Sequence, residues 1–254
     1  MIDLHSHLLP AVDDGARTVE QAVAALHEMA RNGVTDVCLT PHLTATRAEQ
    51  GVPGRHDAAF ERLAAAAPRL PRLVRGAEVM LDRPLSEAAA AHPGVRLGGT
   101  RYILVEFPRL VAGEAVSHAL AHVVSLGLVP VLAHPERYSC CSANAVHRWR
   151  GMGALMQVDA TTLLSPQGRG DRARQLVSAG LADLLAADNH GDARMLLTGR
   201  RLLEEHGGAA QAELLTTRNP AAILADQPTQ LAEPLELKTS LLQRLRRLLR
   251  SADE

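Results

Sequence analysis

Aromatic residues and cysteine are both scarce in this chain of 254 residues, at 2% and three residues respectively. With so few aromatic side chains, Ala, Leu and Val must supply most of the core packing. None of the cysteines, Cys38, Cys140 and Cys141, belongs to a Cys-x-x-Cys pair, and two adjacent cysteines do not make a disulfide framework. We therefore expect a protein of a reducing compartment.

Neither sign of charge dominates, since 27 Lys and Arg face 28 Asp and Glu. This balance gives no reason to expect a nucleic-acid partner. No apolar run approaches the roughly 18 to 20 residues that cross a bilayer. A cleaved signal peptide would remove the histidines at positions 5 and 7, so we expect a soluble cytoplasmic protein.

Apolar periodicity divides most of the chain into alternating helices and short strands. Thr18 and Gln21 predict a capping box for a first helix that Gly33 ends. Further helices are predicted near 55–67, 84–91, 114–126, 143–150, 169–179 and 193–206. Strands are predicted near 34–40, 73–79, 101–107, 128–134, 154–160 and 181–188. This alternation favours an α/β fold with a parallel sheet, and the length suits one barrel domain.

Two imidazoles lie two positions apart at the start of the chain, where strand alternation points His5 and His7 to the same side. Other histidines and carboxylates follow at the ends of apolar runs, where parallel α/β folds collect their active-site residues. A single pair of this kind is usually structural, but the repetition at successive strands indicates a metal site. The remaining candidates are Asp13 or Asp14, His42, Glu78, Glu106, His134, Asp188 and His190.

These candidate ligands are all imidazole or carboxylate, which favours Mn²⁺, Fe²⁺, Zn²⁺ or Mg²⁺ over a structural thiolate site. They are too many for one ion, so we expect two or three ions sharing a bridging carboxylate. Clusters of this type suit in-line displacement at phosphorus, because the ions hold phosphoryl oxygens and activate water.

The same residues lie in motifs that resemble the polymerase and histidinol phosphatase (PHP) superfamily. More narrowly, they resemble the bacterial tyrosine-protein phosphatases encoded with capsule and exopolysaccharide genes, over residues 1–225. The motifs are His5-Ser6-His7, Asp13-Asp14-Gly15, Thr40-Pro41-His42, Gly76-Ala77-Glu78, Val105-Glu106-Phe107-Pro108, His134-Pro135-Glu136-Arg137-Tyr138, Gln157-Val158-Asp159-Ala160 and Asp188-Asn189-His190.

The resemblance implies a distorted (β/α) TIM-like barrel of the PHP type with two or three metal ions, usually Mn²⁺. Its expected substrate is the phosphotyrosine tail of a polysaccharide-export tyrosine autokinase. It implies a first ion on His5, His7, Glu78 and Asp188; a second on Glu78, Glu106 and His134; and a third on Asp14, His42 and His190. Asp13 is the alternative to Asp14.

Two arginines are implied to act on the phosphoryl group. Arg137 matches the family arginine in the His-Pro-Glu-Arg-Tyr motif, and a guanidinium can pair with two phosphate oxygens. Arg194 follows the Asp-x-His motif but lies about one residue from the family position. We expect a shallow mouth, with Arg137 holding phosphate and low selectivity for the rest of the peptide.

Three other functional classes compete with this interpretation. Cysteine-dependent tyrosine phosphatases place Arg six positions after Cys, but here those positions hold Thr44, Val146 and His147. A small-molecule phosphomonoesterase of the histidinol phosphatase kind shares the metal pattern. A non-catalytic module that binds a kinase would have no reason to keep every ligand.

The C-terminal part differs from the rest. Residues 226–236 are predicted to be a linker, and 237–250 a basic amphipathic helix with leucines on one face. That helix could dock on the domain, on a second copy in an oligomer, on the partner kinase or peripherally on a membrane, and the sequence leaves these alternatives open.

Overall fold

Parallel strands alternate with helices in residues 1–237, the part of the chain that the computed structural model describes. The strands are β1 (Ile2–Ser6), β2 (Asp36–Leu39), β3 (His42–Thr44), β4 (Arg72–Arg75), β5 (Glu78–Met80), β6 (Tyr102–Glu106), β7 (Val129–Ala133), β8 (Leu155–Asp159) and β9 (Leu184–Ala186). The helices are α1 (Val19–Arg31), α2 (Ala45–Ala48), α3 (Gly54–Ala66), α4 (Glu87–Ala91), α5 (Gly113–Ser125), α6 (Ala143–Gly151), α7 (Gly168–Ser178), α8 (Leu196–Glu205), α9 (Ala209–Glu213) and α10 (Asn219–Leu224). The predicted α/β class with parallel strands is confirmed.

The strands form two sheets rather than one continuously paired barrel. One sheet has the order β1-β2-β4, and the other has the order β3-β5-β6-β7-β8-β9. An isolated parallel bridge between Ser6 and Asn189 joins the end of β1 to the segment after β9. The single closed barrel therefore remains a prediction.

The division into two sheets coincides with breaks after β2 and after β4. The sequence predicted a strand that ends at residue 40, so β3 was not expected, whereas 73–79 was predicted as one strand and is observed as β4 and β5. Pro41, which has no N–H to donate, separates β2 from β3. Gly76 separates β4 from β5, and a Cβ at this position would lie 2.9 Å from the Cys38 sulfur. Beyond the two breaks, His42 pairs in register with Glu78, which brings two candidate ligands side by side.

The two ends of helix α1 are set by local sequence signals. The Thr18 hydroxyl accepts a hydrogen bond from the Gln21 backbone N–H, as predicted. The reciprocal half of the capping box is displaced by one residue, because Gln21 Oε1 accepts from the Arg17 N–H. The helix ends at Arg31, and Gly33 follows with a φ of 83°.

A single aromatic residue holds the ends of two central strands. The Tyr138 hydroxyl donates to the carbonyl of Ala133 at 2.9 Å and accepts from the Phe107 N–H at 3.2 Å. Tyr138 is 1% exposed, and Phe107 packs edge-on against it. This contact fixes β7 and β6 next to His134 and Glu106, so scarce aromatic residues still position the site.

The predicted linker has no regular secondary structure after Asp226 and lies along the domain. The Tyr102 hydroxyl donates to the Gln227 carbonyl, and the Leu235 N–H donates to the Ser178 carbonyl. Residues 238–254, which include nearly all of the predicted basic helix 237–250, lie outside the described residues. In residues 1–237, no helix is both long and apolar enough to cross a membrane.

Candidate metal centre

His5 and His7 form the floor of the candidate site. Both side chains are completely buried at the end of β1, and strand alternation points them to the same side as predicted. Their Nε2 atoms lie 3.1 Å apart. Two imidazole nitrogens this close either hydrogen-bond to each other or share one ion.

Four ligand atoms surround one point at this floor. Most of their mutual separations fall between 3.1 and 3.3 Å, and the atoms are His5 Nε2, His7 Nε2, Glu78 Oε2 and Asp188 Oδ1. Ligands at 2.0–2.1 Å from a tetrahedral ion are about 3.3 Å apart. The donor atoms therefore fit a divalent ion without rearrangement.

Glu78 lies in the middle of the candidate metal centre, close to four imidazole rings. Within residues 1–237 its buried Oε2 has no partner with hydrogen-bond geometry, although His5, His7 and His42 place ring nitrogens 3.3, 3.3 and 3.0 Å away. Its Oε1 lies 2.9 Å from His134 Nε2. Burial acts to raise the pKa of Glu78, but the facing imidazoles outweigh it and the pKa falls well below the usual range. A buried carboxylate between four imidazoles is suited to bridge ions.

His42 connects the remaining candidate ligands. Its Nδ1 lies 3.0 Å from both Glu78 Oε2 and Glu106 Oε1, and its Nε2 lies 3.4 Å from Asp14 Oδ1. His190 approaches the same Asp14 oxygen at 3.5 Å. In residues 1–237 the atoms form four overlapping groups, each able to hold an ion: His7, Asp14, His42 and His190; His5, Glu78 and His134; His5, His7 and Asp188; and His42, Glu78 and Glu106.

The neighbouring aspartates have different environments. Asp13 accepts hydrogen bonds from the backbone N–H groups of Gly15 and His42, and its Oδ2 lies 2.8 Å from His7 Nδ1. Burial acts to raise the Asp13 pKa, but the contact with His7 is stronger and the pKa falls to about 2. The Asp14 side chain is 66% exposed at the mouth and faces His42 and His190. Asp14 thus has its oxygens available to an ion, whereas Asp13 orients a ligand.

Gln157 was not singled out as a site residue. Its Oε1 lies 2.8 Å from Nδ1 of His5, and its side chain is fully buried on β8. A partner on Nδ1 fixes the ring orientation and leaves Nε2 free to bind an ion. A polar residue inside the apolar run 154–160 was the signal that could have identified it.

Arg137 lies at the edge of the centre. Its Nη2 donates to Asp159 Oδ2 at 2.9 Å and also to Asp188 Oδ2. Burial acts to lower the Arg137 pKa, but Asp188 and Asp159 raise it, so the side chain stays charged. Arg194 reaches Asp188 at 3.5 Å but mainly pairs with Asp192 at 2.8 Å. Both arginines therefore lie beside a candidate ligand, and Arg137 is the more firmly held.

Two strand-end ligands have unusual backbone conformations. His134 has a φ of 33° and Asp188 a φ of 51°, both in the left-handed region. Residues other than glycine occupy this region at a cost of about 1–3 kcal/mol, and such strain is concentrated at functional sites. The backbone here is bent to aim these two side chains inward.

The site opens to solvent through a cleft of about 300 Å³. The cleft is lined by Arg137 and the candidate ligands Asp14, His42, Glu78, Glu106, His134, Asp188 and His190. A phosphate ester in the cleft would therefore meet the ligands and Arg137 together.

The sequence is similar to those of known proteins over most of its length. Residues 1–225 match the family described as Capsular polysaccharide synthesis, CpsB/CapC. The tyrosine-protein phosphatase CpsB of Streptococcus pneumoniae is 27% identical over 89% of this chain and 99% of its own length. The tyrosine-protein phosphatase YwqE of Bacillus subtilis is 28% identical over 75% of this chain and 77% of its own length.

A solved structure has the same fold. It is described as a crystal structure of YwqE from Bacillus subtilis and CpsB from Streptococcus pneumoniae, unique metal-dependent tyrosine phosphatases. It superposes with a TM-score of 0.78 at 26% identity, covering 94% of this chain and 100% of that chain.

Proposed function

Because this chain belongs to the CpsB/CapC family of capsular polysaccharide synthesis proteins, we propose that it is a metal-dependent protein-tyrosine phosphatase. The observation that carries the proposal is the buried Glu78 Oε2, which lies 3.0–3.3 Å from ring nitrogens of His5, His7 and His42. Several imidazole nitrogens converging on one buried carboxylate oxygen are costly to enclose unless an ion binds them together. Divalent ions are the ligands that this donor set suits.

We propose three ion positions among these donor atoms. The first ion would be held by His5, His7, Glu78 and Asp188, the second by Glu78, Glu106 and His134 with His42 alongside, and the third by Asp14, His42 and His190. We infer Mn²⁺ as the usual ion, with Fe²⁺, Zn²⁺ and Mg²⁺ as alternatives that the same nitrogen and oxygen donors accept. When bound, such ions supply Lewis-acid charge to the phosphoryl group and activate water as the nucleophile.

The protein's own residues then orient the ester. Arg137 is held by Asp159 and Asp188, so its guanidinium meets the phosphoryl oxygens with little loss of side-chain entropy. Arg194 is tied mainly to Asp192, which leaves it an accessory position at the mouth. Asp13 and Gln157 fix the rings of His7 and His5.

Cysteine chemistry contributes nothing to this reaction. Burial raises the pKa of all three thiols, and the pKa of Cys141 reaches about 12. Protonated thiols are poor nucleophiles. The metal route is therefore the one that the chain supports.

The substrate is inferred to be a phosphotyrosine tail of a bacterial tyrosine autokinase of capsule or exopolysaccharide export. The relatives are named tyrosine-protein phosphatases, and the family is described by capsular polysaccharide synthesis. An open cleft admits a side chain as long as phosphotyrosine. A small phosphate ester such as histidinol phosphate is the second candidate, because the metal chemistry serves any phosphomonoester.

We also infer that the two sheets are parts of one distorted barrel. β2 continues into β3 and β4 into β5, so the neighbour relations run round from β1 through β6 and β9 back to the Ser6–Asn189 bridge. A barrel places all strand ends at one face, which is where the candidate ligands lie. A cytoplasmic location remains a prediction.

The test compares three substrates on protein of known metal content. Metal-depleted protein should lose activity and regain it with Mn²⁺, and a phosphotyrosine peptide should be preferred over a phosphoserine peptide and histidinol phosphate. His5→Ala should abolish turnover, whereas His118→Ala, which changes an exposed histidine on α5, should not. Full turnover by metal-free protein would refute the mechanism, and a preference for histidinol phosphate would favour the second candidate.

A further inference from the structure

A second cleft of about 550 Å³ adjoins the metal cleft. The two clefts share three lining residues, His42, Met80 and Glu106. A substrate whose phosphate lies at the metal centre can therefore extend into the second cleft without leaving the surface.

The second cleft is lined by cationic side chains without partners. Arg47 on α2 and Arg55 on α3 are both exposed, and neither forms an ion pair within residues 1–237. Nearby arginines outside the cleft are neutralised, since Arg75 pairs with Asp57 and Arg83 with Glu49. The only carboxylate among the residues lining the second cleft is Glu106, which already faces His42 at 3.0 Å.

The start of helix α3 adds positive potential to the same cleft. Pro53 and Arg55 both line it, and no side chain in residues 1–237 caps this helix end by a hydrogen bond. Asp57 in the first turn is paired with Arg75. The first N–H groups of a helix and its dipole attract anions. This helix has 13 residues, long enough for the effect.

We propose that Arg47 and Arg55, in the second cleft beside the N-terminus of α3, bind an anionic side chain next to the reacting phosphotyrosine. The anion is a carboxylate or a second phosphate, which share the oxygen acceptors that these donors take. This inference rests on the proposed function and specifies its substrate class as acidic or multiply phosphorylated peptides. It replaces the expectation of low selectivity outside the phosphate.

The experiment uses the metal-loaded full chain and four phosphotyrosine peptides of equal length. Their flanking residues are neutral, acidic, lysine-rich, or neutral with a second phosphotyrosine. The KM should be lowest for the two anionic peptides, by roughly three- to tenfold relative to the neutral peptide for two exposed charge contacts. The difference should shrink as salt rises, because exposed charges are screened.

Charge reversal distinguishes binding from a structural role. R47E/R55E should prefer the lysine-rich peptide over the acidic one, an inversion that loss of folding cannot produce. R47A/R55A should bring the KM ratio of neutral to acidic peptide close to one. Arg62→Ala is the matched control, since Arg62 is an exposed arginine of the same helix that lines neither cleft, and it should keep the wild-type ratio.

The four peptides distinguish a carboxylate from a second phosphate as the bound anion. The experiment also distinguishes failure of this inference from failure of the proposed phosphatase function. Preference for the doubly phosphorylated peptide alone assigns the cleft to phosphate, and equal preference assigns it to any anion. Equal KM values for all four peptides, or the same charge preference in R47E/R55E as in wild type, would overturn the inference. Absence of activity on p-nitrophenyl phosphate by the wild type would instead overturn the proposed function.

Discussion

Nδ1 of His7 lies 2.8 Å from Oδ2 of Asp13, and that oxygen also accepts the backbone N–H of His42 at 3.0 Å. One carboxylate therefore orients one candidate ligand and positions the backbone of another. The adjacent Asp14 points to the mouth, where its Oδ1 faces His42 and His190. Two neighbouring residues of identical chemistry thus have different roles.

Asp13→Asn should weaken metal binding by about 10- to 100-fold while keeping the number of ions bound at saturation, as loss of an orienting partner typically does. Asp14→Asn should lower the saturating stoichiometry instead, because it removes a donor. Metal titration followed by elemental analysis measures both quantities. The opposite assignment, with stoichiometry lost in Asp13→Asn, would make Asp13 the ligand.

Glu78→Gln should remove more metal than any other single change among the ligands. The amide cannot offer two anionic oxygens, so every group that shares this carboxylate is weakened. We expect metal content near zero after dialysis, together with loss of the rise in melting temperature that metal gives the wild type. Glu87→Gln, which changes an acidic residue at the start of α4, is the control. Retention of full metal content in Glu78→Gln would contradict the sharing of this carboxylate between several ions.

Arg137→Ala should lower kcat by roughly 10²-fold with metal content unchanged, in line with the loss of one oriented donor to transition-state charge. Arg194→Ala should cost less, because that side chain is paired with Asp192 and reaches Asp188 only at 3.5 Å. Steady-state kinetics on a phosphotyrosine peptide separates the two. Normal kinetics in Arg137→Ala would leave Arg137 a structural role, as a partner of Asp159 and Asp188.

Gly15→Ala should destabilise the loop that carries the two aspartates. An added Cβ would lie 1.9 Å from the His7 carbonyl oxygen, so the backbone must shift. We expect a loss of about 2 kcal/mol or more in the free energy of unfolding, together with weaker metal binding. Gly151→Ala is the matched control, because nothing lies within 4 Å of its added Cβ at the end of α6. Equal stability of the two variants would show that the loop can yield.

Glu136 gives a prediction on pH. Burial, and then the nearby Asp159, raise its pKa from 4.5 to about 8. The pKa of this carboxyl is higher in the folded than in the unfolded state. Its contribution to the free energy of unfolding is therefore full below pH 4.5 and is lost as the pH rises to about 8.

Glu136→Gln removes this dependence, because the amide does not titrate. The stability of the variant relative to wild type should therefore increase with pH across this range, with a slope of at most about 1.4 kcal/mol per pH unit. Urea unfolding at several pH values measures it. A constant difference between the two proteins would mean that Glu136 ionises normally.

Much of the fold could be read from local pattern. The predicted helix 114–126 is observed as Gly113–Ser125, and the predicted strand 101–107 as Tyr102–Glu106. Such elements have strong apolar periodicity and clear boundaries. The short helix Ala45–Ala48 and the π-helical turn Leu214–Arg218 were missed, because too few residues define a period there.

That the site is a candidate metal centre could also be predicted from the sequence, because metal binding depends on the type of side chain. Imidazole and carboxylate side chains at successive strand ends predict a metal centre whatever the exact path of the chain. The motifs of residues 1–225 carried the family resemblance, and the family comparison confirmed it.

The tertiary structure alone decided which atoms meet. His42 pairs in register with Glu78 just beyond the breaks at Pro41 and Gly76. The fold places Asp13 against His7, whereas Asp14 lies at the mouth of the metal cleft beside His42 and His190. Likewise Arg47, Arg55 and His56 line one cleft only because α2 and α3 converge beside Glu106. Sequence sets local conformation and chemical type through interactions between near neighbours, whereas distances between residues far apart along the chain depend on how all the elements pack together.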